Sequence, residues 1–176
     1  MRRNKHQCGD SNNVVAVEFS SDLSIYPDLI PSDIQVSPEV PTTGDEITVT
    51  WQLSNEGDGD AKQPFADEVR IVNLASGEEV VRQTLPYDPI ADGPIASGQV
   101  RDRQLVLSLP EGSLSSGQLS VEVTTDIDQD VLEVNPADDA EQNNTAAHQV
   151  SVTLGDYPDL AVTAFTSSAQ VIGDPA

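Results

Sequence analysis

Apolar and polar residues alternate strictly through much of the chain. In "EITVTWQLS", Ile47, Val49, Trp51 and Leu53 share one face while Thr48, Thr50 and Gln52 take the other. A period of two over this length predicts a half-buried β-strand. "QLSVEVTTD" repeats the pattern through Leu119, Val121 and Val123, "HQVSVTLG" through Val150, Val152 and Leu154, and "RQLVLSLP" through Leu105, Leu107 and Leu109. Weaker alternation marks "SDIQVSP", "DEVRIVNL" and "EEVVRQTL". Turn-forming clusters separate these runs: "PTTGD", "NEGDGD", "LASGE", "DGPIASG", "PEGSLSSG" and "NPADD". In such clusters Gly supplies positive φ, Pro fixes φ, and Asn or Asp bond back to local backbone. No window sustains a 3.6-residue period. About seven short strands over roughly 130 residues predict an all-β, immunoglobulin-like antiparallel β-sandwich, with an open barrel as the alternative. Trp51, on the apolar face of its strand, is the expected structural centre of the core.

One segment occurs twice. "NNVVAVEFSSDLSIYPDL" from Asn12 and "NNTAAHQVSVTLGDYPDL" from Asn143 are identical at nine of eighteen positions, at a constant offset of 131 residues. The likeness continues from "SPEVPTTGD" (Ser37 to Asp45) to "SAQVIGD" (Ser168 to Asp174), with two residues dropped. A self-similarity of domain size is the signature of a tandem array. The expected organisation is therefore a non-repeat leader at residues 1–11, expected to be disordered, then the last strand of a preceding repeat at 12–25. A complete sandwich follows at 26–156, and 157–176 form the first strand of a further, truncated repeat. The terminal strands are apolar on one face and lack their home sheets. They are expected to be disordered or to pair with a sheet edge of the complete unit or of another chain.

In order along residues 26 to 155, several stretches resemble the CARDB domain, the cell-adhesion-related domain found in bacteria. "PDL" opens the first strand, and "GDEITVTWQLSNEGDGDA" is similar to the family's G-x-x-V-x-V-x-x-x-V-x-N-x-G-x-G-x-A stretch through Gly44, Asn55, Gly57, Gly59 and Ala61. "IASGQ" at Gly98, "GQLSVEVTTD" ending at Asp126, and "LEVNPADDAEQNN" with Glu133, Asn135, Glu141, Asn143 and Asn144 complete the likeness. The inserted "PADDA" departs from the family pattern. The resemblance implies a seven-stranded sandwich repeated in large bacterial surface or secreted proteins, with no catalytic residues to carry over.

Charge narrows the partners. Asp and Glu number 30 against 8 Lys and Arg, for a formal charge of −22. Such a field repels nucleic acid and anionic membrane and concentrates cations. It fits either a divalent metal or a saline setting. No apolar run approaches the length of a membrane helix. The basic start "MRRNKHQCGD" is not followed by the apolar stretch of a signal peptide. Cys8, the single cysteine, has no intramolecular partner.

The acid-rich stretch "DIDQDVLEVNPADDAE" is the strongest candidate for chemistry. Asp126, Asp128, Asp130, Glu133, Asn135 and Glu141 are the expected ligands of a calcium ion, a hard cation that takes six to eight oxygens. The stretch is not an EF-hand, because Val131 stands where Gly is required and Ala137 where a bidentate Glu belongs. A solvated acidic hairpin is the competing interpretation. Asn143 and Asn144 are expected in a structural role, bonding loop backbone ahead of the final strand. "NNT" is formally a glycosylation acceptor, which the bacterial resemblance does not favour. "NEGDGDA" is expected to be a tight turn on glycines of positive φ, with Asp58 and Asp60 as a weaker cation candidate.

Enzymatic interpretations lack residues. The only histidines are His6, in the leader, and His148, on the face of Val150 and Val152 with no motif around it. "EGSLSSG" is not a nucleophile elbow. The sequence thus points to a non-catalytic repeat module, an acidic spacer or adhesion stalk stiffened by calcium, whose partners are neighbouring repeats. A module that binds a surface glycan or protein is the second hypothesis, weakened by the scarcity of aromatic residues. Either function places it on a bacterial cell surface or outside the cell.

Overall fold

The computed structural model describes residues 17–18, 24–157 and 161–164. The leader and most of the two terminal strands expected from the repeat, with their expected pairing, lie outside the described residues. Seven strands follow one another: β1 (Leu29–Ser37), β2 (Glu46–Asn55), β3 (Phe65–Asn73), β4 (Glu79–Tyr87), β5 (Val100–Ser108), β6 (Gly117–Thr124) and β7 (Thr145–Val152). They form two antiparallel sheets, β1-β2-β5 and β4-β3-β6-β7, packed as an immunoglobulin-like sandwich. Helical structure among the described residues is limited to single 3₁₀ turns at Ser113–Ser115 and Ala140–Gln142. No helix there is long and apolar enough to cross a membrane.

Alternation explains which faces meet. Ile47, Val49, Trp51 and Leu53 of β2 point inward with Leu105 and Leu107 of β5. They meet Val69 and Ile71 of β3 and Leu119, Val121 and Val123 of β6. Trp51 is 1% exposed at the middle of this layer. Phe65 and Tyr87 stack at 4.9 Å between ring centres, closing one flank. One ion pair crosses the core margin: Arg103 on β5 donates to Asp67 on β3 at 2.8 Å. Arg103 also donates to the carbonyls of Leu85 and Pro86 and lies over the Tyr87 ring. Asp67 accepts a second, short hydrogen bond from Thr125. Burial works to raise the Asp67 carboxyl, and Arg103 and Thr125 oppose it.

Strand direction sets the two ends. Leu29 pairs with Asn55, and Thr124 with Thr145, at the pole where β1 begins. Ser37 pairs with Thr48, and Gly117 with Val152, at the opposite pole. We call these the leading and trailing poles.

The "NEGDGD" turn departs from the expectation. Gly57 and Gly59 do not adopt positive φ. They are glycines because the chain entering β1 passes directly over them. A Cβ on Gly57 would fall within van der Waals contact of the Tyr26 carbonyl, and one on Gly59 would meet the Ile25 carbonyl. Close approach, not turn geometry, requires them.

Candidate metal centre

The loop between β6 and β7 folds over the leading pole and turns some of its acids inward. Asp126 takes φ 47°, and its carboxylate accepts the backbone N–H groups of Asp130 and Val131, both at 2.9 Å. This closes the loop's first turn and leaves Val131 in the core. Two residues on, the Glu133 carboxylate accepts the N–H of Leu29 at 2.5 Å and the Asn144 side-chain amide at 2.6 Å. Glu141, on the second 3₁₀ turn, accepts the Glu133 N–H at 3.0 Å.

The result is a convergence of Asp126, Glu133 and Glu141, with one oxygen from each within 4.8 Å of the others. Asp126 and Glu133 are buried. At an effective dielectric of ~20, two ionised carboxylates this close repel by about 3 kcal/mol. Burial, together with the charges of Glu141 and Asp126, pushes the Glu133 carboxyl up to about 7 against the hydrogen bonds it accepts. Burial likewise raises Asp126, against its two backbone donors. Oε2 of Glu141 and the amide oxygens of Asn143 and Asn144 are buried without a hydrogen-bond partner. An all-oxygen, net-negative donor set with unengaged oxygens fits a hard divalent cation.

The other expected ligands go elsewhere. Asp128 and Asp130 are exposed and are not among the converging acids. Asn135 joins a separate network: its amide donates to Asp28 at 2.9 Å and to Asp139 at 2.8 Å. Asn143 donates to the other Asp28 oxygen at 3.0 Å. The paired asparagines therefore bind carboxylates across the pole rather than loop backbone. Asp60 is occupied by Lys62 and the Ser97 N–H, and His148 is exposed.

Two further contributors have no site role assigned from the sequence. Asp28 receives both Asn135 and Asn143, and Asn55, fully buried, ties four groups together. Asn55 accepts from Asp28 N and Gly57 N and donates to the carbonyls of Gly59 and Ile95. Asn55 stands inside the N-x-G-x-G stretch, which was the available signal.

The family's sequence profile, CARDB, matches residues 26–148, from the segment entering β1 to the middle of β7. The chain belongs to the CARDB family. Comparison with curated proteins returns no match. Among solved structures, a CARDB domain from Pyrococcus furiosus, crystallised in complex with di-metal ions, is 19% identical. It covers 76% of this chain and 100% of that one, with a TM-score of 0.49. A domain of a putative cell surface protein from Methanosarcina acetivorans is 22% identical over 75% of this chain and 96% of that one, with a TM-score of 0.42. A β-glucosidase from Erythrobacter marinus is 11% identical, covering 72% of this chain but only 16% of the enzyme, with a TM-score of 0.47. CARDB domains are structural or adhesion-type modules rather than enzymes.

Proposed function

We propose that this CARDB unit is an acidic, non-catalytic spacer in an end-to-end array on a bacterial surface or secreted protein. Its leading pole is stiffened by calcium. The observation that carries this proposal is strand direction: β1 and β7 both run from the leading to the trailing pole, and Thr42 and Thr153 form a parallel bridge as they leave. Nine-residue strands advance the chain by ~30 Å. A unit that takes the chain in at one end and releases it at the other adds length with each copy.

The 131-residue self-similarity supports the same organisation, with residues 26–156 as the repeating unit and 12–25 and 157–176 as parts of its neighbours. Asp126, Glu133 and Glu141 would hold the cation, with the Asn144 amide oxygen beside them. When bound, the ion supplies the positive charge that lets all three carboxylates ionise together. The chain's own residues then clasp the loop to β1 through Glu133 and Leu29.

A glycan- or protein-binding role has less support. The concavity on the outer face of β1-β2-β5 is lined by Asp33, Gln35, Thr50, Gln52, Asp102 and Gln104, and its aromatic residue, Trp51, is buried.

Small-angle scattering on proteins carrying one, two and three copies tests the spacer. The maximum dimension should grow by a constant increment of roughly 30–40 Å per copy. Growth as the cube root of mass, the behaviour of a compact globule, would rule it out.

A further inference from the structure

We propose that the tyrosine of the repeated Tyr-Pro-Asp-Leu segment is the joint between consecutive CARDB units. Its side chain is held by the unit before it and its main chain by the unit after it. The inference rests on the array organisation and deepens it.

The trailing pole shows the first half. Beyond β7 the chain stays stitched to the β1–β2 connection. Thr153 N donates to Pro41 O and Thr43 N to Thr153 O, both at 2.9 Å, and Gly155 N donates to Thr43 Oγ1 at 3.0 Å. Tyr157 ends the stitching with its hydroxyl. The N–H of Gly112, in the β5–β6 connection, donates to that oxygen at 3.1 Å. The hydroxyl also shares a hydrogen bond with Thr43 Oγ1 at 2.5 Å, in which either oxygen can donate, and has the Thr43 carbonyl at 3.3 Å as an acceptor.

The leading pole shows the second half on the equivalent residue. Tyr26 stands 131 positions before Tyr157 in the repeated segment. Its carbonyl accepts Gly59 N at 2.8 Å, and the next two carbonyls, of Pro27 and Asp28, accept Val134 N and Glu56 N. Gly57 and Gly59 are bare because this segment lies on them.

Placed in one array, the two halves meet on a single residue. The last side chain anchored to one unit belongs to the first residue whose main chain is anchored to the next. No free linker residue remains between them. The proline that follows confines the tyrosine to extended backbone, and its own φ is fixed near −65°. The angle between units is then set by the torsions of one residue clamped at both ends.

The test joins a second copy of residues 26–176 directly after Asp156 of the full chain, in a Cys8→Ser background. A spin label replaces the exposed Gln104 of each copy, and pulsed EPR reads the distance distribution. A narrow distribution is expected with tyrosine at the joint, and one at least twofold wider with Tyr26→Phe in the second copy, the tyrosine that follows Asp156 of the first, or with Thr43→Val in the first copy. In the single full chain, Tyr157→Phe should speed exchange of the Gly112 amide at least tenfold without moving the thermal midpoint by more than about a degree.

A width that ignores Tyr26→Phe in the second copy, a broad distribution with tyrosine present, or a Gly112 exchange rate unchanged by Tyr157→Phe in the single chain would overturn the joint. A long mean distance in that case would leave the spacer standing. A short mean distance, from copies packed side by side, would overturn the array itself.

Discussion

Glu133 and Leu29, 104 residues apart in sequence, are joined by a 2.5 Å hydrogen bond from the Leu29 backbone N–H to the Glu133 carboxylate. This contact fastens the acidic loop to the start of the first strand. It also holds a buried carboxylate beside two others. The same residue therefore closes the fold and creates the electrostatic tension that a cation or a proton must relieve.

Calcium should relieve it. At a hundredfold excess over Kd, a ligand specific to the folded state adds ~2.7 kcal/mol, a rise of several degrees in the melting midpoint for about 130 residues. Melting in EDTA and in millimolar calcium should show that rise. Asp126→Asn, Glu133→Gln and Glu141→Gln should each abolish it, whereas Asp128→Asn, at an exposed position, should leave it intact. An equal rise in NaCl of matched ionic strength would reduce the effect to charge screening and remove the site.

A proton should relieve it too, with a definite sign. Glu133 has a folded-state pKa of about 7 against an ordinary 4.5, and Asp126 is shifted the same way. A raised pKa stabilises the fold fully below the unfolded value, and the contribution is lost as pH rises through the folded value. In EDTA, stability should fall by ~3 kcal/mol on this account as pH climbs from about 4.5 to about 7.5. Urea midpoints across that window would show it. Glu133→Gln should flatten the slope, and saturating calcium should reverse it, because the cation binds the ionised form. A slope identical in the Gln variant would place its origin in general charge repulsion.

Glycines at the leading pole should separate by mechanism. Gly57→Ala drives a Cβ into the Tyr26 carbonyl, with backbone on both sides and nothing flexible to move, so a loss of about 3 kcal/mol or more is expected. Gly77→Ala meets nothing within 4 Å but sits at φ 74°, so its cost should stay near 1–2 kcal/mol. Asn55→Ala, which strips four hydrogen bonds from a fully buried site, should match or exceed Gly57→Ala. Chemical denaturation of the three variants would order them.

Arg103 and Asp67 should show strong coupling. Arg103→Leu leaves Asp67 buried and unpaired and should cost about 3–5 kcal/mol. Replacing both residues by apolar ones of similar size should cost less than either single change, because no orphan charge remains. A double-mutant cycle measures the difference, and additive losses would show the pair to be uncoupled.

Much of this architecture is present in the linear pattern. Period-two alternation in "EITVTWQLS" and "QLSVEVTTD" specifies which side chains enter the core, because a strand's side-chain period admits no other division of faces. The strand count carries a second consequence. Seven strands that reverse at every connection must leave the first and last running the same way, so the chain enters and exits at opposite poles. That odd number is written in the sequence.

Which acids converge is not. Asp126, Asp128 and Asp130 are equivalent in an acidic string, and local chemistry does not rank them. The choice is made when the loop closes on the sandwich. The Asp130 and Val131 N–H groups need an acceptor, which Asp126 supplies at φ 47°, and burying Val131 leaves Asp128 and Asp130 in solvent. Leu29 N and Asn144, brought over from two strand ends, then select Glu133. Local alternation decided the strands, the faces and the two poles. Only tertiary closure, which pairs donors and acceptors more than a hundred residues apart, decided the site.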